Sequence, residues 1–571
     1  RHLMARVAGQ LEAGFATLEG GVNSSVAAAI IQPNQVSRAQ NVTFRGGYAR
    51  TRPKFDGVPI TWADEEFETW CNSHAVQGKC YYKNPSGDAL IVASVGGRIF
   101  SFRYRGYDFL AQELTPSTGR NSQYLPHAWF QQAGPYLIVQ DGQSRPIIIN
   151  GASSRRSNIM ANEVPVGRQM AFVNGRLAVV LNDKRSIAFG DLYGVTTTSV
   201  LEFTEIAGAP EDGGGVFSIP VEAGEITGCV VTAQTDTAAG QGILLVSTDS
   251  AVCSFNPVFQ RSQWANIQFQ SVALIGSGFS SDGLAVVNGD VWGRSTDGIR
   301  SFIMARREFT GWGNTPQSRE IQSTLEADTP FLLDFSDAVY FDNRLIMTVS
   351  PLGYLGSGCY HRGLAVLNFD GISTLRSKTE PAWEGIWNGI QPFGLVVGRF
   401  AGEERCFALA FNSGFEIWEI TKTYGADDDT TRIQAFVETR SFDYGSVLIK
   451  KQMQAAEFAA DQMLGTIDFT FLFRPDQYPC WQDWAAHSEC WTDRTCDNDV
   501  IGACITVGNY SAGYTPKQNL PKASGDCNVA VDAPTTIFYS IQFRLEWVGQ
   551  ARIRWFQSFS MPRDQTSNLS C

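Results

Sequence analysis

Short β-branched and aromatic runs, each broken by a two-residue turn and answered by a second run, constrain this chain more than any other feature. In "DALIVASVGGRIFSFRYRG" the pair Gly96-Gly97 separates Leu90–Val95 from Arg98–Arg103. A two-residue hairpin loop of the primed type needs positive φ at its central positions, which glycine and asparagine supply most cheaply. The device recurs with Asp141-Gly142 in "PYLIVQDGQSRPIIING" and with Asn174-Gly175 in "MAFVNGRLAVVLNDKRSIAFG". "GILLVSTDSAVCSF" and "DVWGRSTDGIRSF" align as strand, Ser-Thr-Asp turn, strand, and "AVYFDNRLIMTVS", "GLAVLNFDGIST" and "ERCFALAFNSGFEIWEI" continue the series. Antiparallel hairpins from Asp56 to Ile420, spaced by roughly 40 to 50 residues per four-stranded unit, predict an irregular β-propeller of about six or seven blades. A large sandwich is the alternative; radial closure is preferred because it leaves few open sheet edges.

The ends follow other patterns. Val7, Leu11, Phe15 and Leu18 fall at helical spacing, and Pro33 precedes an expected short helix over Asn34–Gln40. After the acidic turn "GADDDTT" the runs lengthen, as in "TIDFTFLFRPD" and "TTIFYSIQFRLEWVGQARIRWFQSFSM". The expected organisation is an N-terminal arm over 1–55, a propeller over 56–420 and a β-sandwich-like domain over 421–571 carrying a Cys-rich insertion at 478–534. The class is all-β.

Between Gly20 and Phe55 there is no acidic residue, although the whole chain has 45 basic against 57 acidic residues and a net charge of -12. That balance disfavours general adhesion to nucleic acid or anionic lipid. Arg38, Arg45, Arg50, Arg52 and Lys54 therefore form a local exception. The segment mixes small residues and single aromatics, a poor recipe for an independent core, so it reads as a docking arm whose charges meet another protein. The longest early apolar run, Val26–Ile31, is far short of the roughly 20 residues a membrane-spanning helix needs, so no membrane anchor is expected.

Of twelve cysteines, Cys480, Cys490, Cys496, Cys504 and Cys527 crowd the insertion without a C-x2-C or C-x4-C knuckle. Cross-linking is favoured over zinc. Cys71 and Cys80 flank His74, which leaves a local disulfide or two free thiols. Cys229, Cys253 and Cys406 lie in apolar strands as buried thiols. Trp481, Trp484 and Trp491 could stack on sugars, but packing beside cross-links is the expected role.

Catalytic signatures are sparse. There is no G-x-S-x-G, no P-loop and no H-E-x-x-H, and the five histidines have no evident catalytic partner. Asp334, Asp337 and Asp342 could serve as paired carboxylates, yet turn solvation accounts for them. Asp427–Asp429 lacks the alternating ligands of a calcium loop and reads as a solvated linker. Ser295-Thr296-Asp297-Gly298 resembles the aspartate box of sialidase propellers, one residue short and without their arginine triad. Asp249 and Asp297 are accordingly expected to bond local backbone. No enzyme activity, cofactor or metal is expected.

"GGVNSS" leading through "QPNQVSRAQNVTFRGGYARTRP" resembles the N-terminal segment of short-tailed phage nozzle proteins, also called tail tubular protein B, with Gly20, Gly21, Gln35, Asn41, Arg52 and Pro53 at the matching positions. "FVNGRLAVV", "KRSIAFGD" and "STDGIRSF" look like blade segments of that family and of the related packaged-DNA stabilisation proteins. The resemblance spans approximately residues 20–450. It implies a virion tail component, a homo-hexameric tube below portal and adaptor proteins whose propellers surround a channel for transient duplex DNA, with no enzymatic activity; the Cys-rich insertion departs from the family, and its expected role is to hold tail fibres or neighbouring subunits. An acidic surface suits a conduit through which phosphates must slide. A monomeric glycan-binding or glycan-cleaving propeller used in host adhesion is the competing expectation.

Overall fold

The computed structural model describes residues 9–204, 211–233, 242–255, 261–266, 270–274, 278–301, 316–354, 358–370, 381–490, 517–518 and 537–563. Six separate antiparallel sheets stand around a ring as propeller blades, and a seventh set of strands completes it. Blade 1 is built on Val76–Lys83, Ala89–Val95, Arg98–Tyr104 and Phe109–Glu113, with Ile60–Trp62 added in parallel at its edge. Blades 2, 3 and 4 begin with Trp129–Ala133, Gly167–Val173 and Ile226–Ala233; blade 5 has Leu284–Val287, Asp290–Ser295 and Gly298–Ser301. Blade 6 runs from Ala338–Phe341 to Ala382–Trp387, and blade 7 from Pro392–Phe400 to Phe415–Ile420. The first strand of each blade touches the first strand of the next, and Pro392–Phe400 returns to Val76–Lys83.

Turn chemistry explains why these hairpins form where they do. Gly96 and Gly97 sit at φ +56° and +82°, Asn174 and Gly175 at +47° and +73°, and Asp342 and Asn343 at +51° and +55°. Each pair has the two left-handed positions that a primed turn demands. Alternation along the strands then sends apolar side chains to both faces, because every blade is covered on both sides. Tyr82, Leu90, Val92, Leu137 and Val139 fill the space between blades 1 and 2, while Ile91, Ala93, Phe100, Phe102, Phe407 and Phe415 fill that between blades 7 and 1.

The ring is closed by mixing chain ends: Phe55–Val58 pairs antiparallel with Phe415–Ile420 and supplies the outer strand of blade 7. That places the end of the arm next to the last hairpin of the ring.

Beyond the ring, two long strands, Lys451–Pro475 and Ile541–Pro562, pair antiparallel. Register shifts near Asp461 and Leu464 fold this hairpin over itself. Thirteen residues of extended strand cover roughly 43 Å, yet the rings of Phe543 and Phe556 lie 5.0 Å apart, and those of Phe458 and Phe471 6.2 Å. One sheet thus supplies both layers of a sandwich-like core. Trp484 packs inside it, 4.5 Å from Phe471, and Trp481 lies under the Arg474 guanidinium at 4.4 Å. The insertion enters as an edge strand, Gln482–Cys490, on Lys451–Pro475.

Several expectations are corrected. Leu11–Phe15 is a strand paired with Phe556–Ser560, not part of a helix. Asn34–Gln40 contains the short strands Gln35–Val36 and Arg38–Gln40. Backbone pairing with distant strands overrides the local spacing in both places. A helix not foreseen, Glu65–Ser73, is capped by Asp64, whose side chain accepts from the Glu66 amide.

Candidate functional site

The basic arm does not project; it is threaded through the molecule. Arg38–Gln40 lies between Ala382–Trp387 of blade 6 and Gln434–Glu438, which in turn pairs with Ile541–Pro562. Ala49–Thr51 pairs with Val42–Thr43 and with Arg552 and Ile553. The arm thereby joins blade 6 and the C-terminal hairpin into one 14-stranded sheet. It has no core of its own, as expected, and it borrows one: Val36, Val42, Phe44 and Ala49 are buried in the cluster that contains Trp383, Trp547 and Ile553.

Four of its five cations, Arg45, Arg50, Arg52 and Lys54, are engaged within this chain. Arg52 is 1% exposed and forks onto Asp427, with Nη1 to Oδ1 at 2.8 Å and Nη2 to Oδ2 at 2.6 Å. Its Nε donates to Asn41 Oδ1 and its Nη2 to the Asn388 carbonyl. Lys54 pairs with Asp429 at 2.7 Å and Asp56 at 3.0 Å. Arg45 pairs with Asp342 at 2.8 Å and Asp370 at 2.7 Å. Arg50 lies 3.4 Å over the Tyr424 ring. Arg38 is exposed opposite Glu438 in the sheet register. The turn at Asp427–Asp429 is therefore a receptor for arm cations, and Asp342 serves Arg45 and Arg344 together. Arg344 also reaches Glu384 at 2.9 Å, and Glu384 accepts from Thr43 Oγ1 at 2.6 Å.

A second charged cluster lies where the inner strands converge, and sequence reasoning missed it. Lys79 on the first strand of blade 1 pairs with Asp337 at 2.7 Å and reaches Asp282 at 3.8 Å. Both oxygens of Asp337 are used, by the Ala338 and Leu395 amides. Burial, opposed by Lys79, pushes the Asp337 carboxyl up to about 6. His127 stacks between Trp129 and Phe335, with centroids at 5.7 and 4.5 Å, and burial lowers its pKa. The only forewarning was "DFSDAVYFDN", where three aspartates share a short run. Asp334 is exposed and Asp337 and Asp342 serve separate networks, so these carboxylates do not form a pair.

His361 is fully buried. Its Nε2 bonds the Phe335 carbonyl at 3.2 Å, while Nδ1 has no hydrogen-bond partner. A second proton would enter a dry site near Arg294, and desolvation followed by that like charge drives the pKa down to about 3. The folded value lies below the ordinary 6.5, so His361 contributes stability that is present above pH 6.5 and lost as pH falls toward about 3. His361→Met should flatten this acid limb, as read by denaturant midpoints between pH 7 and 4. An unchanged slope would remove His361 as its cause.

Cys71 and Cys80 are free thiols. Cys71 packs between blades 7 and 1, whereas strand alternation turns Cys80 toward the space between blades 1 and 2, so blade 1 separates them. Cys229, Cys253 and Cys406 are free and buried. Cys480 is disulfide-bonded. The side chain of Cys490, along with Cys496, Cys504, Cys527 and Trp491, lies outside the described residues. Asp249 accepts from the Glu225 amide rather than from its own turn, and at Asp297 the amide donates to Ser295 Oγ. Among the described residues no group of three His, Cys, Asp or Glu side chains could hold a metal ion, and no helix is long and apolar enough to cross a membrane.

No protein-family model matches this chain, and no curated protein matches it. Solved β-propellers do. Virginiamycin B lyase from Staphylococcus aureus is 12% identical with a TM-score of 0.34, covering 64% of this chain and 99% of its own. The Cps50 (Swd1) β-propeller domain of Myceliophteria thermophila is 11% identical at TM-score 0.33, covering 61% and 100%. YCF48 from Cyanidioschyzon merolae is 11% identical at 0.34, covering 64% and 98%. At these values the propeller assignment stands on the chain's own strand pairing.

Proposed function

We propose that this chain is a structural, non-enzymatic subunit of a short-tailed phage tail, a nozzle component that assembles as a homo-hexamer around the path of DNA and helps retain the packaged genome until ejection. The supporting observation is where the residues that carry the nozzle-protein resemblance fall. Arg52 and Asn41 form the buried clamp on Asp427. Gly21 adopts φ +64° where an added Cβ would collide with the Trp383 carbonyl of blade 6. Gln35 Nε2 reaches the Gly20 carbonyl, and its Oε1 accepts from Asn23. The resembling segment is thus the strap that fixes ring to hairpin. A subunit of a load-bearing tube needs such a single rigid body, since a pressurised channel would pry apart loosely linked domains. The Lys79–Asp337 ion pair lies among the inner strands of this propeller, so a DNA path in this reading runs between subunits.

Image reconstruction of mature particles tests the assignment. The expected result is a six-fold ring coaxial with the portal, with the propellers around the axis. Isolated side spikes, or a monomer that turns over glycans, would reject it in favour of the adhesion propeller.

A further inference from the structure

Between blades 7 and 1 a cleft of about 410 Å³ opens to solvent, lined by Tyr81, Lys83, Asp88, Arg103, Tyr104 and Arg399 among others. Its size falls within the range of small-ligand sites. The apolar part is built: the rings of Tyr81 and Tyr104 stand nearly perpendicular to buried Phe400, at 5.3 Å and 81° and at 6.1 Å and 80°. Each tyrosine hydroxyl donates to a backbone carbonyl, Tyr81 to Arg399 and Tyr104 to Gly106, which leaves oxygen lone pairs to accept from a ligand hydroxyl. The charged part is unbalanced. Arg103 pairs with Asp88 at 3.3 Å, but Lys83 and Arg399 have no carboxylate partner among the described residues, and the Arg399 Nε donates only to the Gly402 carbonyl. In a chain of net charge -12, two such cations beside two aromatic walls form a local inversion of the surface.

We propose that this cleft binds a carboxylated sugar, a uronic or sialic acid unit of an acidic saccharide. A pyranose offers an apolar C–H face to the tyrosine rings and hydroxyls to their oxygens, while its carboxylate matches the Arg399 fork and the Lys83 ammonium. A polyphosphate strand fits less well. Glu403 and Glu404 follow the lining residue Gly402 and lie opposite Phe400 and Arg399 in the strand register; although they pair with Arg405 and Lys422, their side chains stay 73% and 56% exposed, and they would repel a chain of charges but tolerate a single one. The inference does not depend on the nozzle assignment, because a coaxial ring can carry this cleft or lack it.

The test is saturation-transfer NMR and calorimetry on the full chain with methyl glucuronide and N-acetylneuraminic acid, against methyl glucoside and inorganic phosphate. Binding of at least one acidic sugar in the millimolar range is expected. Lys83→Ala together with Arg399→Ala should weaken it about tenfold or more, with circular dichroism and melting unchanged because both side chains are exposed. No binding of either acidic sugar, equal binding of the glucoside, tighter binding of phosphate, or an unaffected double variant would each overturn the proposal.

Discussion

Arg52→Ala should loosen the junction of arm, blade 7 and the Asp427 turn by about 3–5 kcal/mol, the cost of removing one partner from a buried ion pair. Arg52 is 1% exposed, and its side chain satisfies Asp427, Asn41 and the Pro53 and Asn388 carbonyls at once. Asp427 Oδ1 also accepts from the Phe55 amide, so loss of the guanidinium undermines the strand that closes blade 7. The chain is too large for one global unfolding step, so the readout is native-state hydrogen exchange. Amide protection over Phe55–Val58 should fall by roughly two to four orders of magnitude, with blades 2 and 3 unaffected. Arg52→Met combined with Asp427→Leu should recover part of the loss, because no charge is left buried and unpaired. Unchanged protection in the single variant would show that backbone pairing alone holds the arm.

The hairpins were legible because their signal is local: a glycine or asparagine at positive φ announces a primed turn to any reader of neighbouring residues. The arm was not. Its cations looked unpartnered because Arg45 meets Asp342 and Arg52 meets Asp427, across about three hundred residues or more that only ring closure brings together. The helical spacing of Leu11, Phe15 and Leu18 was real but outweighed, since pairing with Ile541–Pro562 gives Leu11 and Phe15 a sheet to join. The same blindness hid Lys79. Nothing near it in sequence is acidic, and its partner Asp337 lies five blades onward.

That pair supports the second large effect. Lys79→Met should destabilise the ring by about 3–5 kcal/mol at pH 8, again because one buried charge loses its partner. Asp337 carries more than an ordinary surface carboxylate: it accepts from the Leu395 amide at the start of blade 7 and precedes the first strand of blade 6, while Lys79 lies on the first strand of blade 1. Three blades meet through it. Burial already holds its carboxyl up to about 6 against an ordinary 3.8, and Lys79 is what opposes a further rise. Without the ammonium the folded-state value climbs, so the folded protein binds a proton that the unfolded chain has released. For such a raised group stability is fullest below about 3.8 and is lost as pH rises through the folded value. The deficit of Lys79→Met should therefore grow between pH 5 and pH 8, followed by urea titration of tryptophan emission. Asp337→Asn in the same background should remove that pH dependence, at the cost of one amide acceptor. A deficit that is flat with pH would mean that Lys79 acts through its methylene packing, and no deficit at all would mean that the convergence of inner strands holds without any ion pair.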